Sequence, residues 1–359
     1  MSRMLATYRV RAPRDGIDAI ARELALEQSV EVPAEVVLDA FVADEIMGRV
    51  HATREIDAGT HLVTLALATI TTGFDVAQTI NMLFGNSSLH EHVELVDVEW
   101  PQDLLQRHRG PRFGVHGIRA ALHVDDRPLT CAALKPQGLS SPRLAALCGT
   151  LAQAGIDVVK DDHGLADQAY SPFAERVAAC QRAIASQRTI YAPSLVGSPR
   201  AVREQVRVAR AEGVRMLLMA PALLGMPAFA EIVEDIDVPI LAHPAYGGAA
   251  RVAPPLLLGR LFRLLGADAA IFPNYGGRFA YSESLCADIA RTCRDAWSHV
   301  RPILPVPAGG LSVERVPEVI RFYGRDTMLL IGGSLLAAGD ALPARTRAFV
   351  ELVRSTPAL

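Results

Sequence analysis

The feature that most constrains this chain is an alternation of strand-like and helix-like segments that starts at residue 129 and repeats eight times. Short apolar runs, many of them β-branched, are each followed by a stretch with helical periodicity. Eight such units in about 230 residues predict a (β/α)8 TIM barrel. A doubly wound open sheet is the alternative, because the pattern does not show whether the sheet closes. The predicted strands are residues 129–136, 156–162, 189–196, 214–222, 238–246, 267–275, 303–310 and 327–334.

The first 125 residues follow a different pattern, in which strands and helices are mixed without a regular order. This mixture predicts a small α+β domain with an antiparallel sheet in front of the barrel. We therefore expect two domains, residues 1–125 and residues 126–359. The predicted N-terminal strands are residues 4–12, 60–70 and 92–100, and the predicted helices are residues 17–29, 33–46 and 75–85.

Composition excludes several classes of protein. Half of the 359 residues are hydrophobic, which is enough for a large core, and a net charge of −3 argues against nucleic acid as a partner. The five cysteines are odd in number and include no CxxC pair, as expected of reduced thiols in a cytoplasmic protein. No segment resembles a signal peptide or reaches the roughly 18 apolar residues of a membrane span. We expect a cytoplasmic protein with no membrane or nucleic-acid partner.

Only two of the 36 basic residues are lysines, and both end predicted strands. Lys135 lies in ALKPQG after the first strand, and Lys160 lies in DVVKDDHG after the second. Barrels carry their catalytic groups at this rim. A lysine amine can exchange protons, form a Schiff base or take up CO2 as a carbamate, whereas arginine stays protonated. The alternative for the lysine and its neighbouring aspartates is a surface cluster of salt bridges.

Three later strands also end in polar or glycine signals at this rim. His243 ends the fifth strand, and the pairs Gly309–Gly310 and Gly332–Gly333 end the seventh and eighth. The histidine could instead be a rim residue without a catalytic role, and the glycine pairs could simply form tight turns. After strands seven and eight, however, glycine pairs match the usual phosphate site of barrels.

These segments resemble the motifs of the ribulose bisphosphate carboxylase (RuBisCO) large chains and the RuBisCO-like proteins. GIDVVKDDHG resembles the family's metal-site motif, and ALKPQGLS resembles its first-strand lysine motif. VPAGG and IGG resemble its phosphate-binding glycine segments. LALEQSVEVP and MLFGNSSL resemble the N-terminal stretches that complete the active site of a partner subunit. The similar segments follow the family's order from about residue 5 to residue 340.

The resemblance implies a role for each of these residues. Lys160, carbamylated by CO2, would bind a divalent metal together with Asp162 and His163, and Lys135 would shuttle a proton. Mg2+ is the expected metal, with Mn2+ or Zn2+ as alternatives that suit the histidine. The glycines of the seventh and eighth strands would bind a phosphate. The remaining implied site residues are the strand-five histidine, His243, and the two residues lent to the partner in a homodimer with shared active sites, Glu27 and Asn86.

Departures from the carboxylase pattern imply a different reaction. His163 replaces a glutamate ligand, Pro244 replaces an arginine that grips a second phosphate, and Phe272 replaces a strand-six histidine. Gln137 replaces a lysine, and Arg278 gives no match to the mobile-loop lysine that holds CO2. The resemblance therefore implies a RuBisCO-like enzyme that is not a carboxylase and that binds a small substrate with one phosphate.

We expect metal-assisted enolate chemistry on a ketose or keto-acid monophosphate. Among the family's activities, we favour decarboxylation or transcarboxylation of a 3-oxo sugar-acid phosphate of the 3-oxo-isoapionate-4-phosphate type, because loss of CO2 forms an enolate without a strong base. An alternative is isomerisation or enolisation of a methylthio-ribulose-type phosphate in sulfur salvage. Two readings from other classes remain, a Schiff-base aldolase and a non-catalytic binder of sugar phosphates.

Overall fold

The computed structural model describes residues 1–357, which form two compact units. The first contains Met1–Arg109 and Gly247–Leu257, and the second contains Gly110–Tyr246 and the chain from Leu258 onward. The domain boundary expected after residue 125 stays a prediction, although the contacts group residues 110–125 with the second unit. No helix in the described part of the chain is long and apolar enough to cross a membrane.

The first unit is built on a four-stranded antiparallel sheet with the strand order β2-β3-β1-β4. Alternate residues of the first strand, from Met4 to Val10, are buried, as expected of a sheet with one covered face. The predicted strands and two of the three predicted helices are confirmed. The elements are β1 Arg3–Arg11, α1 Ile17–Glu27, β2 Arg49–Asp57, β3 Thr60–Ala68, α2 Val76–Phe84, β4 Val93–Glu99 and α3 Gln102–Leu105.

The helix predicted for residues 33–46 is wrong. This segment forms only a short 3-10 turn, Ala34–Val36, and one π-helical turn, Val42–Ile46. Its large apolar residues Leu38 and Phe41 are 91% and 53% exposed, so no buried face stabilises a helix there.

The second unit is a closed (β/α)8 barrel, and all eight predicted strands are confirmed. Its sheet is parallel, with the order β7-β6-β5-β13-β12-β11-β10-β9-β8. The third barrel strand is interrupted at Pro193 into β7 and β8, so the two ends of this order are consecutive in the chain and the barrel closes there. The strands are β5 Leu129–Leu134, β6 Val158–Asp161, β7 Ile190–Ala192, β8 Ser194–Leu195, β9 Leu217–Met219, β10 Ile240–Ala242, β11 Ala269–Pro273, β12 Leu304–Ala308 and β13 Met328–Ile331.

Helices follow the barrel strands, as the sequence pattern predicts. The segment 254–266 is only partly α-helical, because a π-helical stretch, Pro255–Leu261, precedes its last turn. The helices are α4 Gly114–Leu122, α5 Ser141–Gln153, α6 Phe173–Ala183, α7 Pro199–Ala211, α8 Pro221–Leu224, α9 Met226–Glu234, α10 Phe262–Leu264, α11 Glu283–Arg294, α12 Val316–Tyr323, α13 Gly333–Leu336 and α14 Leu342–Ser355.

Alternation along the strands decides which side chains face the barrel interior. Val158 and Leu241 belong to the buried interior cluster. Because side chains alternate with a period of two, Lys160 and His243 continue these inward rows, whereas Asp161 points toward the surrounding helices. The barrel therefore delivers the lysine and the histidine to its centre at the C-terminal rim.

Candidate active site

Lys160 is the second-to-last residue of β6, lies inside the barrel and is 3% exposed. Its Nζ donates a hydrogen bond to the carbonyl oxygen of Asp161 at 2.8 Å. Burial lowers the pKa of Lys160, because the interior disfavours the charged amine. The neutral amine is the form that reacts with CO2, so the environment is compatible with a carbamate at this position.

Lys135 and Asp162 form an ion pair, with Nζ 2.6 Å from Oδ1. Gln137 Nε2 lies 3.4 Å from the other carboxylate oxygen of Asp162. Although burial acts to raise it, hydrogen bonds with His163 and Lys135 hold the pKa of Asp162 well below its usual range. The Lys135 side chain is 37% exposed, so of the two lysine amines this is the one that a substrate can reach.

His163 and His243 stack face to face, with ring centroids 4.2 Å apart and planes inclined by 12°. The backbone N–H of Ala245 donates to Nδ1 of His243 at 3.0 Å. This bond assigns the ring proton of His243 to Nε2. Burial, together with the nearby charge of Lys160, lowers the pKa of His243 to about 2. His243 is therefore a neutral hydrogen-bond donor near neutral pH.

The side chains that would hold a divalent metal are incomplete in their unmodified form. Nδ1 of His163 lies 3.5 Å from Oδ1 of Asp162, so these two donors are adjacent. Among residues 1–357, no group of three or more histidine, cysteine, aspartate or glutamate side chains has the arrangement of a metal site. A carbamate on Lys160 would supply the missing anionic oxygen. The residues fit a metal on that condition, and both the metal and the carbamate stay predictions.

The glycine pair after β12 is in backbone contact with the loop after β11. Gly309 and Gly310 have φ of +76° and +74°, values that glycine adopts without strain. A Cβ atom on Gly310 would lie 2.3 Å from Cα of Gly277. Only glycine fits at this crossing, because a Cβ atom would meet the other backbone.

The glycine pair after β13 lies beside Lys135. A Cβ atom on Gly332 would be 3.9 Å from Cε of that lysine. Ser334 donates a hydrogen bond to the carbonyl oxygen of Leu311 at 2.8 Å and so joins the loops after β12 and β13. The structure thus brings together Lys135 and the two glycine segments that the sequence predicts as a phosphate site.

Glu27 and Asn86 lie together in the first unit, where Nδ2 of the asparagine donates to Oε1 of the glutamate at 2.8 Å. The residues that follow them along the chain also form a hydrogen bond. Ser87 Oγ donates to Oε1 of the buried Gln28 at 2.6 Å. The two predicted residues therefore form one polar pair on the first unit. Their role toward a partner subunit stays a prediction.

Sequence reasoning missed a buried network behind Lys160. Arg176 Nε lies 3.0 Å from Asp161 Oδ2, and both side chains are fully buried. Tyr191 donates its hydroxyl proton to Asp161 Oδ1 at 2.8 Å, and the backbone N–H of Ser194 donates to Oδ2 at 3.1 Å. These contacts fix Asp161, whose carbonyl oxygen accepts the hydrogen bond from Lys160. Strand alternation indicates that Asp161 points outward, but no sequence signal identifies its partner.

Known proteins resemble this chain over its whole length, although no family model matches it. It is 46% identical over 360 residues to the ribulose bisphosphate carboxylase-like protein 1 of Rhodopseudomonas palustris, covering 98% of both chains. It is 46% identical over 359 residues to the 5-methylthioribulose-1-phosphate isomerase of Rhodospirillum rubrum, covering 98% of this chain and 96% of that protein. The crystal structure of a Rubisco-like protein from Rhodopseudomonas palustris matches with a TM-score of 0.92 at 44% identity, covering 99% and 98% of the two chains.

Proposed function

The chain belongs to the RuBisCO-like proteins, and from that premise we propose that it is an isomerase of a methylthio-ribulose-type phosphate. Its similarity to the isomerase of Rhodospirillum rubrum over nearly the full length of both chains supports this assignment. The same finding favours the isomerase alternative over the decarboxylation of a 3-oxo sugar-acid phosphate that the sequence alone led us to favour. It also supports an enzyme rather than a non-catalytic binder.

The proposed reaction moves a carbonyl group along a ketose phosphate. A base removes a proton from a carbon next to the carbonyl, and the electron pair left behind becomes an enolate. A proton then returns to the former carbonyl carbon. The hydroxyl on the neighbouring carbon loses its proton as it becomes the new carbonyl, and the former carbonyl oxygen takes up a proton, so atoms and electrons balance without a co-reactant. Such a reaction needs a proton carrier, a donor to the enolate oxygen and a grip on the phosphate.

The observation that carries the proposal is the place of Lys135 beside the phosphate glycines. Its Cε lies next to Gly332, and its Nζ is held by Asp162. We assign proton transfer to this amine, because Lys160 is almost fully buried and its Nζ is directed to a backbone carbonyl. His243, with its proton on Nε2, is the proposed hydrogen-bond donor to the enolate oxygen.

Asp162, His163 and a carbamate on Lys160 are the proposed holders of a divalent metal. When bound, the metal would polarise the substrate carbonyl as a Lewis acid. The histidine favours Mn2+ or Zn2+ more than a carboxylate in its place would, while Mg2+ prefers an all-oxygen set.

The substrate is proposed to carry one phosphate. Backbone N–H groups of the two glycine segments serve one anion. Carboxylases bind a second phosphate with an arginine and carry a histidine on strand six. Pro244 and Phe272 stand at these positions here, and neither side chain carries a charge. Phe272 is fully buried and lies against Tyr323, with ring centroids 5.9 Å apart.

We propose that the active unit is a homodimer with shared sites. The Glu27–Asn86 pair lies on the first unit. The same unit carries large apolar side chains that are exposed to solvent in a single chain. These side chains are Val36, Leu38, Phe41 and Leu89. A partner's barrel that receives this surface would bury them and gain the polar pair.

The test is an assay of the purified protein with 5-methylthioribulose-1-phosphate in D2O, followed by NMR. We expect migration of the carbonyl with deuterium incorporation at the carbon that receives the proton. Lys135→Ala should abolish both, and Lys135→Arg should not restore them, because arginine does not exchange its proton near neutral pH. If the wild type shows no carbonyl migration and no deuterium exchange, the proposal is contradicted. Release of CO2 from a 3-oxo sugar-acid phosphate would instead support decarboxylation.

A further inference from the structure

We infer that Arg278, on the loop after β11, is the guanidinium that binds the substrate's phosphate, and that Gly277 and Phe279 position it. The identity of the full substrate rests on the proposed function. The phosphate contact itself does not, because it can be measured with inorganic phosphate.

The glycine segments alone leave the phosphate's charge without a cation. A phosphate group carries about −1.5 to −2 charges near neutral pH, and backbone N–H groups supply only partial charges. The nearby cations are already committed. Lys135 pairs with Asp162. Arg315, which approaches Gly276, pairs with Glu318 at 2.8 Å.

The loop after β11 crosses directly over the first glycine segment. A Cβ atom on Gly277 would lie 2.6 Å from the carbonyl oxygen of Gly309, and one on Gly310 would lie 2.3 Å from Cα of Gly277. The two backbones are therefore in contact with no side chain between them. Arg278 is the next residue, so its side chain starts at the edge of the phosphate glycines.

Phe279 directs the arginine from this starting point. Its Cδ2 would lie 4.0 Å from a Cβ atom on Gly309, so the ring stands beside the glycine segment. The guanidinium carbon of Arg278 lies 4.9 Å from the centroid of that ring, within the range of a cation–π contact. Among residues 1–357, Arg278 makes no hydrogen bond or ion pair with the protein. Its five N–H donors are therefore free, and an arginine fork matches two oxygens of a phosphate.

Arg278 matches no functional residue of the carboxylases, and phosphate binding would give it a role in this chain. Arg278 lies near the place of the loop lysine that holds CO2 in carboxylases, but it does not match that motif. A phosphate contact requires only that the loop carry a permanent positive charge next to Gly309–Gly310.

The test measures the dissociation constant of inorganic phosphate by calorimetry for the wild type, Arg278→Gln, Arg278→Lys and Phe279→Leu. The matched control is Arg188→Gln, an exposed arginine that precedes β7 at the opposite rim of the barrel. We expect Arg278→Gln to weaken binding by about tenfold or more, Arg278→Lys and Phe279→Leu to weaken it less, and the control to stay within about twofold.

Phosphate affinity of Arg278→Gln within twofold of the wild type would overturn the inference, as would the absence of phosphate binding by the wild type. These outcomes are independent of turnover. If the wild type binds phosphate through Arg278 but does not isomerise the methylthio-sugar phosphate, only the proposed function fails. If it turns the substrate over, Arg278→Gln should raise KM more than it lowers kcat.

Discussion

The buried Arg176–Asp161 pair is the residue-scale feature on which the position of Lys160 depends. Taking two charges out of water costs free energy, and their attraction offsets this cost only with complete hydrogen bonding. Tyr191 and the N–H of Ser194 provide that bonding. The carbonyl of Asp161 then accepts a hydrogen bond from the Lys160 amine, so a defect in the pair would reach the candidate site through one residue.

Replacing Arg176 with methionine should lower the free energy of unfolding by about 3–5 kcal/mol, because Asp161 would keep a buried charge without a partner. Tyr191→Phe removes a single hydrogen bond to that charge and should cost about 1–3 kcal/mol. Urea unfolding measures both changes. Arg182→Met, on the exposed face of the same helix, is the control and should change stability by no more than about 0.5 kcal/mol. Equal effects of Arg176→Met and the control would contradict this account.

A histidine among the proposed metal ligands should alter which metal binds. We expect His163→Glu to raise the affinity for Mg2+ relative to Zn2+, because a carboxylate adds a hard oxygen and a negative charge. Titration of the metal-free protein with each ion, with metal content measured after dialysis, checks this without an activity assay. An unchanged preference would show that His163 is not a ligand.

Candidate site residues could be predicted from the sequence where their residue type is rare in the chain. Lysine is so rare in this chain that its two positions, Lys135 and Lys160, stand out in the sequence as candidate site residues. Arg176 could not be found this way, because it is one of 34 arginines and its partner is 15 residues away on another element. Only the packed structure shows that it is fully buried.

At the scale of elements, the close approach of the loops after β11 and β12 predicts a sharp difference between two glycines. Gly310→Ala should weaken phosphate binding by about tenfold or more and lower stability by about 1–3 kcal/mol, because its Cβ would meet Gly277 and its φ is positive. Gly16→Ala, in the first unit and away from the glycine segments, is the control, since no atom lies within 4 Å of its Cβ position and its φ is −104°. Phosphate titration and urea unfolding check both variants. Similar losses for the two would mean that the crossing does not shape the site.

Elements with a covered face could be predicted, and those without one could not. The eight barrel strands are short apolar runs because both of their faces are buried. By contrast, β2 is an edge strand that is exposed along nearly all of its length, so its sequence has no apolar period of two. The helix predicted for residues 33–46 was wrong for the opposite reason. Its apolar residues have the spacing of a helix face, but they remain exposed.

For the whole molecule, the shared-site proposal predicts complementation between two inactive variants. Glu27→Gln and Lys160→Ala should each be inactive as homodimers, whereas a random equal mixture should regain about a quarter of wild-type activity. Half of the dimers in the mixture contain one subunit of each variant. Each such hybrid has one site with both residues intact and one site that lacks both. Steady-state assays after co-refolding, or after co-expression with two tags, measure the recovery.

The control for this experiment pairs Glu27→Gln with Asn86→Ala. Both residues lie on the first unit, so every site in a hybrid of these two variants lacks one of them. No recovery is expected from that mixture. If neither mixture regains activity, or if both do, the sites are not shared in the proposed way.

The segment Gly247–Leu257 interrupts the barrel sequence and belongs to the first unit. There the N–H of Leu95 donates to the carbonyl of Arg251 at 3.0 Å, and the N–H of Ala253 donates to the carbonyl of Leu95 at 2.9 Å. On the ribosome, the N-terminal unit is therefore synthesised first but completed late, after the strands β5 to β10 have already emerged. A nascent chain stalled before this segment would hold a sheet with unpaired backbone groups and a barrel without three of its strands, so the N-terminal unit cannot be completed before most of the barrel has been synthesised.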